Sequence, residues 1–229
     1  MKRLIPIWFD IDGTLLHTRA GHAAFRNALY ETFGWEARLE EVVFAGNTDL
    51  RVLLDLAHRH EGTSTRALAQ QAGFFARMAA HLDAGLQLEK PELVPGAGEL
   101  LRVLHDHPDV VLGLITGNAR DCAFHKLRHA GLDLPFSHGG FGDEDPDRNV
   151  LAQRAREQMC LHLPEPCDLA DGWVIGDTPR DVAAAKTIGA RCLGVASGAY
   201  TAEVLVEAGA DHVVSELRPS TELLDLLLG

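Results

Sequence analysis

Two aspartates one residue apart close a short apolar run in Phe9-Asp10-Ile11-Asp12-Gly13-Thr14. If the extended backbone continues to Asp12, period-two alternation turns the carboxylates of Asp10 and Asp12 to the same side. Carboxylates so placed repel unless a cation or proton intervenes, so the pair costs stability and calls for an explanation. An Asp-Gly turn after a strand is the plain alternative. A second apolar run ends in Thr116-Gly117-Asn118 and leads into a helix. A hydroxyl, a glycine and a helix N-terminus at such a point make a phosphate cradle, because unpaired amides point at the ligand; an ordinary strand-to-helix turn has the same composition. A third run ends in Gly176-Asp177-Thr178-Pro179-Arg180-Asp181. There Thr178 or Asp177 can cap the helix that Pro179 opens, or Asp177 can join Asp10 in holding a hard cation that prefers oxygen ligands, such as Mg2+.

These groups meet only if the runs are neighbouring strands. Leu4 to Phe9, Val110 to Ile115, Trp173 to Ile175, Arg191 to Val195 and His212 to Val214 are apolar without polar alternation and are separated by helix-like stretches. That rhythm predicts an α/β fold with a doubly wound, mostly parallel sheet, a Rossmann-like core of five strands with a further short one near Phe141. Open sheets of this kind bind ligands at the carboxyl ends of their strands. Residues 19–89 break the rhythm: Phe25, Leu29 and Phe33, then Leu50, Leu53, Leu54 and Ala57, recur at helical spacing. The expected division is a catalytic core of residues 1–18 and 90–229 carrying an inserted α-helical cap domain, 19–89. Pro6 sits awkwardly in the first strand.

A formal net charge of -12 disfavours nucleic-acid binding, which draws its affinity from Lys and Arg on phosphates. The run before Asp10 is too brief for a signal peptide or membrane span, so no membrane partner is expected. Cys122, Cys160, Cys167 and Cys192 lack C-x-x-C spacing, which argues against a disulfide framework and fits a reduced, cytoplasmic compartment; Cys160, His162 and Cys167 are too few ligands for a zinc knuckle.

In order and position the three motifs resemble those of the haloacid dehalogenase-like hydrolase superfamily, in particular its phosphatase branch with a helical cap inserted after the first strand, as in phosphoglycolate phosphatase-like enzymes. The resemblance covers essentially the whole chain. It implies Asp10 as nucleophile, Asp12 as general acid and base, and Thr116 as a phosphate ligand with Gly117 and Asn118 in its loop. It also implies Mg2+ held by the Asp10 carboxylate, the Asp12 carbonyl and Asp177, with Asp181 in support. The substrate class is then a small phosphorylated metabolite.

The superfamily usually supplies a lysine between the second and last motifs, and here that interval holds only Lys126. Eight residues past Asn118 on a helix, it falls roughly 12 Å along the axis and is expected to lie too far away. Arg148, after the cap-like Asp145-Pro146-Asp147, is expected in its place at a helix N-terminus. A dehalogenase has no phosphate charge to neutralise, and a phosphonate hydrolase needs a cap lysine that 19–89 lacks. A sugar-phosphate mutase of the β-phosphoglucomutase type is the enzymatic alternative, with His22 on the first cap helix. A binding or regulatory protein on the same fold is the alternative of a different class. Thr48 and Asp49 are candidates for facing the site from the cap or for capping the helix that follows. The sequence leaves the individual ester and the oligomeric state open.

Overall fold

The computed structural model describes residues 4–39, 42–136, 138–162 and 169–229. In chain order they form β1 (Ile5–Phe9), β2 (Leu16–His17), α1 (Ala20–Phe33), α2 (Asp49–Glu61), α3 (Thr65–Leu88) and β3 (Glu92–Leu93). There follow α4 (Ala97–Asp106), β4 (Val110–Ile115), α5 (Arg120–His129), β5 (His138–Gly140) and α6 (Arg148–His162). The chain closes with β6 (Trp173–Gly176), α7 (Pro179–Ile188), β7 (Arg191–Val195), α8 (Ala202–Ala208), β8 (His212–Val214) and α9 (Thr221–Leu228).

Six strands form one parallel sheet in the order β5-β4-β1-β6-β7-β8. β1 lies inside it and is buried along its whole length, which is why its sequence shows no polar alternation. Its side chains still alternate between faces. Ile5, Ile7 and Phe9 join the cluster containing Leu100, Leu104, Leu127 and Leu223, whereas Trp8 joins Ala155, Met159, Val182 and Ile188 on the other side. Pro6 fits because Ile5 already donates toward β4, to Asp109 O at 2.7 Å. The missing Pro6 donor therefore faces β6, whose pairing begins only at Ile7. Chain direction across the sheet switches at β1, with β4 and β6 on either side, so the carboxyl ends of these three strands open one crevice.

Between β2 and β3 run α1, α2 and α3, which bury a cluster of their own that includes Phe25, Leu29, Leu53, Phe74 and Leu82. Ala119 and Cys122, at the start of α5, belong to the same cluster. β2 and β3 pair antiparallel, Leu16 opposite Leu93, so the two connections to these helices lie side by side. No helix among the described residues is long and apolar enough to cross a membrane.

Cys122 and Cys192 are free and buried, but Cys160 is disulfide-bonded. This corrects the expectation drawn from the missing C-x-x-C spacing: a disulfide requires proximity of two cysteines, not a paired motif. It also removes that argument for a reduced compartment. Cys167 and the side chain of His162 lie outside the described residues.

Candidate active site

Asp10 follows the last residue of β1 and its amide donates to Ile175 O at 2.9 Å, which continues the sheet one residue past the strand. Its carboxylate is buried. Arg148, the first residue of α6, reaches over the ends of β4 and β6. One nitrogen, Nη2, lies 3.0 Å from Asp10 Oδ1, donates to Ile115 O at 2.9 Å, and also contacts Asp181 Oδ1. Asp147 fixes this helix start by accepting from Asn149 N at 2.9 Å, as the Asp-Pro-Asp sequence suggested. Arg148 keeps its charge: burial works against the cation, but Asp10 and Asp181 outweigh it and raise its pKa.

Asp177 follows β6, and oxygens of Asp10, Asp177 and Asp181 all lie within 4.8 Å of one another. Burial, the largest effect, pushes Asp10 up to about 6 and Asp177 up to about 8, and the mutual repulsion of the acids adds to it while Arg148 opposes it. Glycines leave the room the Asp177 carboxylate occupies. A Cβ on Gly13, whose φ is +82°, would sit 2.2 Å from Asp177 Oδ2, and one on Gly198 would collide with the same oxygen. Asp181 has a second task. It forms a capping box with Thr178, accepting from Thr178 N at 3.0 Å and from Thr178 Oγ1 at 2.7 Å. The cap role weighed for Asp177 thus belongs to Thr178 and Asp181, which frees Asp177 for the cavity.

Asp12 faces a different partner. Lys126 Nζ lies 2.6 Å from Asp12 Oδ2 and 2.6 Å from Asn118 Oδ1, and Asn118 Nδ2 donates to the same Asp12 oxygen at 2.7 Å. The expectation that Lys126 lies too far from the strand ends is therefore wrong. The count along the axis ignored side-chain direction: on a helix the Cα–Cβ bond tilts toward the N-terminus, and a four-carbon stem carries the ammonium back to the crevice. Burial works against its charge, but Asp12 prevails and the Lys126 pKa is raised. Thr116 is fully buried and its Oγ1 accepts from Asn118 Nδ2 at 2.8 Å and Asn118 N at 3.3 Å, so its hydroxyl shapes the loop; Gly117 and Asn118 reach the cavity wall.

A model of the haloacid dehalogenase-like hydrolases matches residues 7–186 of the chain. The chain belongs to the haloacid dehalogenase-like hydrolase family. Relatives of this hydrolase include a phosphoglycolate phosphatase of Synechococcus elongatus, 28% identical, with 91% of each chain covered. A phosphoglycolate phosphatase of Chromobacterium violaceum is 29% identical, covering 99% of this chain and 98% of that one. Among solved structures, a hydrolase from Pseudomonas syringae superposes with a TM-score of 0.70 at 25% identity, covering 97% of this chain and 98% of that one.

The hydrolase closes its crevice into a cavity of about 380 Å³. The floor is formed by Asp10, Asp12, Asp177, Lys126 and Arg148, and α1, α3 and the segment before α2 supply the far wall with His22, Phe25, Phe44 and Met78. His22 is brought to the cavity with its ring 4.5 Å from that of Phe44. Thr48 is buried and caps α2, accepting from Arg51 N at 3.1 Å. Asp49 does something no local motif signals: its Oδ2 accepts from Ala119 N at 2.8 Å and so holds the first turn of α5, 70 residues away. Burial pushes Asp49 up to about 7. Asp49 N and Leu50 N donate to Gly117 O and Gly142 O at 2.8 and 2.9 Å, which fastens the start of α2 to the loops after β4 and β5. A Cβ on Gly117 would meet Asn47 O at 2.1 Å, so the close approach requires glycine.

The donor set fits a divalent cation of the hard, oxygen-seeking kind. Three clustered carboxylates provide oxygen ligands, and two of them hold pKa values raised by burial and by mutual repulsion that Arg148 only partly offsets. The Asp12 side chain is outside this cluster, turned to Lys126.

Proposed function

We propose that this hydrolase is a Mg2+-dependent phosphatase of small phosphate monoesters that works through an aspartyl-phosphate on Asp10. The observation that carries the reading is the placement of the Asp10 carboxylate at the cavity floor, held by Arg148 and with Asp12 two residues on. Asp10 Oδ attacks phosphorus and the ester oxygen departs with a proton from Asp12. Asp12 then takes a proton from water, whose oxygen attacks the phosphoenzyme, releasing inorganic phosphate and restoring the Asp10 carboxylate. Arg148 orients the nucleophile, and the amides of the Gly117 to Asn118 loop line the place where the phosphoryl oxygens would rest. Mg2+, held by Asp10 and Asp177 with Asp181 behind them, would neutralise charge as anionic nucleophile and phosphate approach.

In this reading residues 19–89 are a cap domain on the core of 1–18 and 90–229, with the β2 and β3 ribbon as its pair of hinges. The cavity wall contributed by α1 and α3 supports that division, since it shields the phosphoenzyme from water. Phosphoglycolate, the ester in the relatives' names, is the first candidate substrate. The test is phosphate release from a panel of monoesters in Mg2+ and in chelator, with acid-quenched protein assayed for phosphate bound at Asp10. Release that persists in chelator, or without Asp10, would sink the mechanism. Isomerised sugar phosphate in place of free phosphate would transfer the reading to a mutase using His22.

A further inference from the structure

Two buried cations line the cavity, and the Nε of Arg148 is buried with no hydrogen-bond partner among the described residues. Arg148 Nη2 is shared among Asp10, Asp181 and Ile115 O. Lys126 has three N–H donors, of which two are taken by Asp12 and Asn118 at 2.6 Å, and the third has no partner among the described residues. Its side chain is only 7% exposed, yet it lines the cavity, so that third donor is available to whatever fills the cavity. The neighbour on α1 is Gly21, where even a Cβ would already lie 3.7 Å from Nζ; a larger residue would cover the ammonium.

Position decides which part of a substrate it meets. Asp12 must stand within a hydrogen bond of the ester oxygen to give it a proton, and Lys126 Nζ is one further hydrogen bond away, beyond the leaving group's first atoms. An acceptor there would pair with a desolvated ammonium against the apolar side chains of Phe25, Phe44 and Met78, where a charge-assisted bond is strengthened. Resting on the phosphatase reading, we infer that Lys126 is a specificity-determining residue that selects esters with a carboxylate beside the ester oxygen, that is, phosphorylated 2-hydroxy acids.

The experiment compares 2-phosphoglycolate with 2-hydroxyethyl phosphate, which replaces the carboxylate by an uncharged CH2OH. Wild-type kcat/KM should favour the acid by about 10- to 100-fold, the value of a hydrogen bond to a charged group. Lys126→Gln should lower both rates, because Asp12 loses a partner, but should also bring their ratio close to unity; Lys126→Arg should restore part of the ratio. A wild-type ratio near unity, or one that survives Lys126→Gln while both rates fall together, would overturn the proposal and leave Lys126 a holder of Asp12. If neither ester is hydrolysed, the ratio is taken instead from dissociation constants of the two esters, where the same preference and its loss in Lys126→Gln, or their absence, decide the point, while the phosphatase reading is judged separately on the wider panel of monoesters.

Discussion

Arg148 and Lys126 bring the same charge to the same cavity, 4% and 6% exposed respectively, and arrive by opposite routes. Arg148 stands at the first position of α6, on the floor of the crevice, with its Nη2 held between Asp10 and Asp181. Lys126 starts on the second turn of α5 and returns along the helix to meet Asp12. In the proposed mechanism one cation serves the nucleophile and its acid cluster, and the other serves proton transfer and the leaving group. Two acids two residues apart are separated by giving each its own counter-ion, Arg148 for Asp10 and Lys126 for Asp12.

The largest effect that tests this division is at Asp10. Asp10→Asn keeps the shape and a hydrogen-bond acceptor for Arg148 but removes the nucleophile, and kcat should fall by on the order of 10⁴-fold or more. Measurable phosphoenzyme in that variant would contradict the assignment. Arg148→Ala comes next. It should cost about 100- to 1000-fold in kcat, by analogy with losing one preorganised donor, and should also lower the melting temperature, since Asp181 is left buried without its partner. Arg148→Lys should recover part of the rate, because a point charge remains when the fork is lost. If Arg148→Ala changes only KM, the two cations do not divide the work in this way.

The unequal legibility of the two cations has a physical cause. Arg148 could be found because its placement is local: Asp147 accepts from Asn149 N and opens the helix at the arginine. The position of Lys126 is not legible in the sequence because it depends on where a long side chain points, which residue spacing does not record. The strand ends bearing Asp10, Thr116 and Asp177 were readable from apolar runs, and so was the α/β order, since each strand is buried on both faces. The bond from Asp49 to Ala119 N was not, because it joins segments 70 residues apart. The glycine at Gly117 could be read as part of a phosphate cradle, but its contact with Asn47 O exists only once α2 has docked.

Within the acid cluster, Asp177→Asn should act on metal affinity before it acts on chemistry. The Mg2+ concentration for half-maximal rate should rise by about tenfold or more, the scale of losing one charged ligand, while the rate at saturating metal falls less than in Arg148→Ala. An unchanged Mg2+ requirement would leave Asp177 outside the metal site.

The smallest expected effect is on stability, and it isolates the acid cluster in the absence of metal. Folding raises Asp10 to about 6 and Asp177 to about 8 from an ordinary value of 3.8. Between those limits the folded chain therefore binds more protons than the unfolded chain, and the stability these acids contribute falls as pH rises. Asp177→Asn removes the larger of the two shifts. In chelator the variant should match wild type in melting temperature near pH 4, the unfolded value, and exceed it increasingly as pH approaches about 8. Mg2+ held as proposed would require the deprotonated pair, so its stabilising increment in wild type should grow over the same interval and be much reduced in the variant. Melting curves of both proteins at several pH values, with chelator and with Mg2+, measure this as a difference in which all other titrating groups cancel. If the metal-free difference shrinks as pH rises, the carboxylates are not held apart from water by the fold, and the case for a cation among Asp10, Asp177 and Asp181 loses its electrostatic basis.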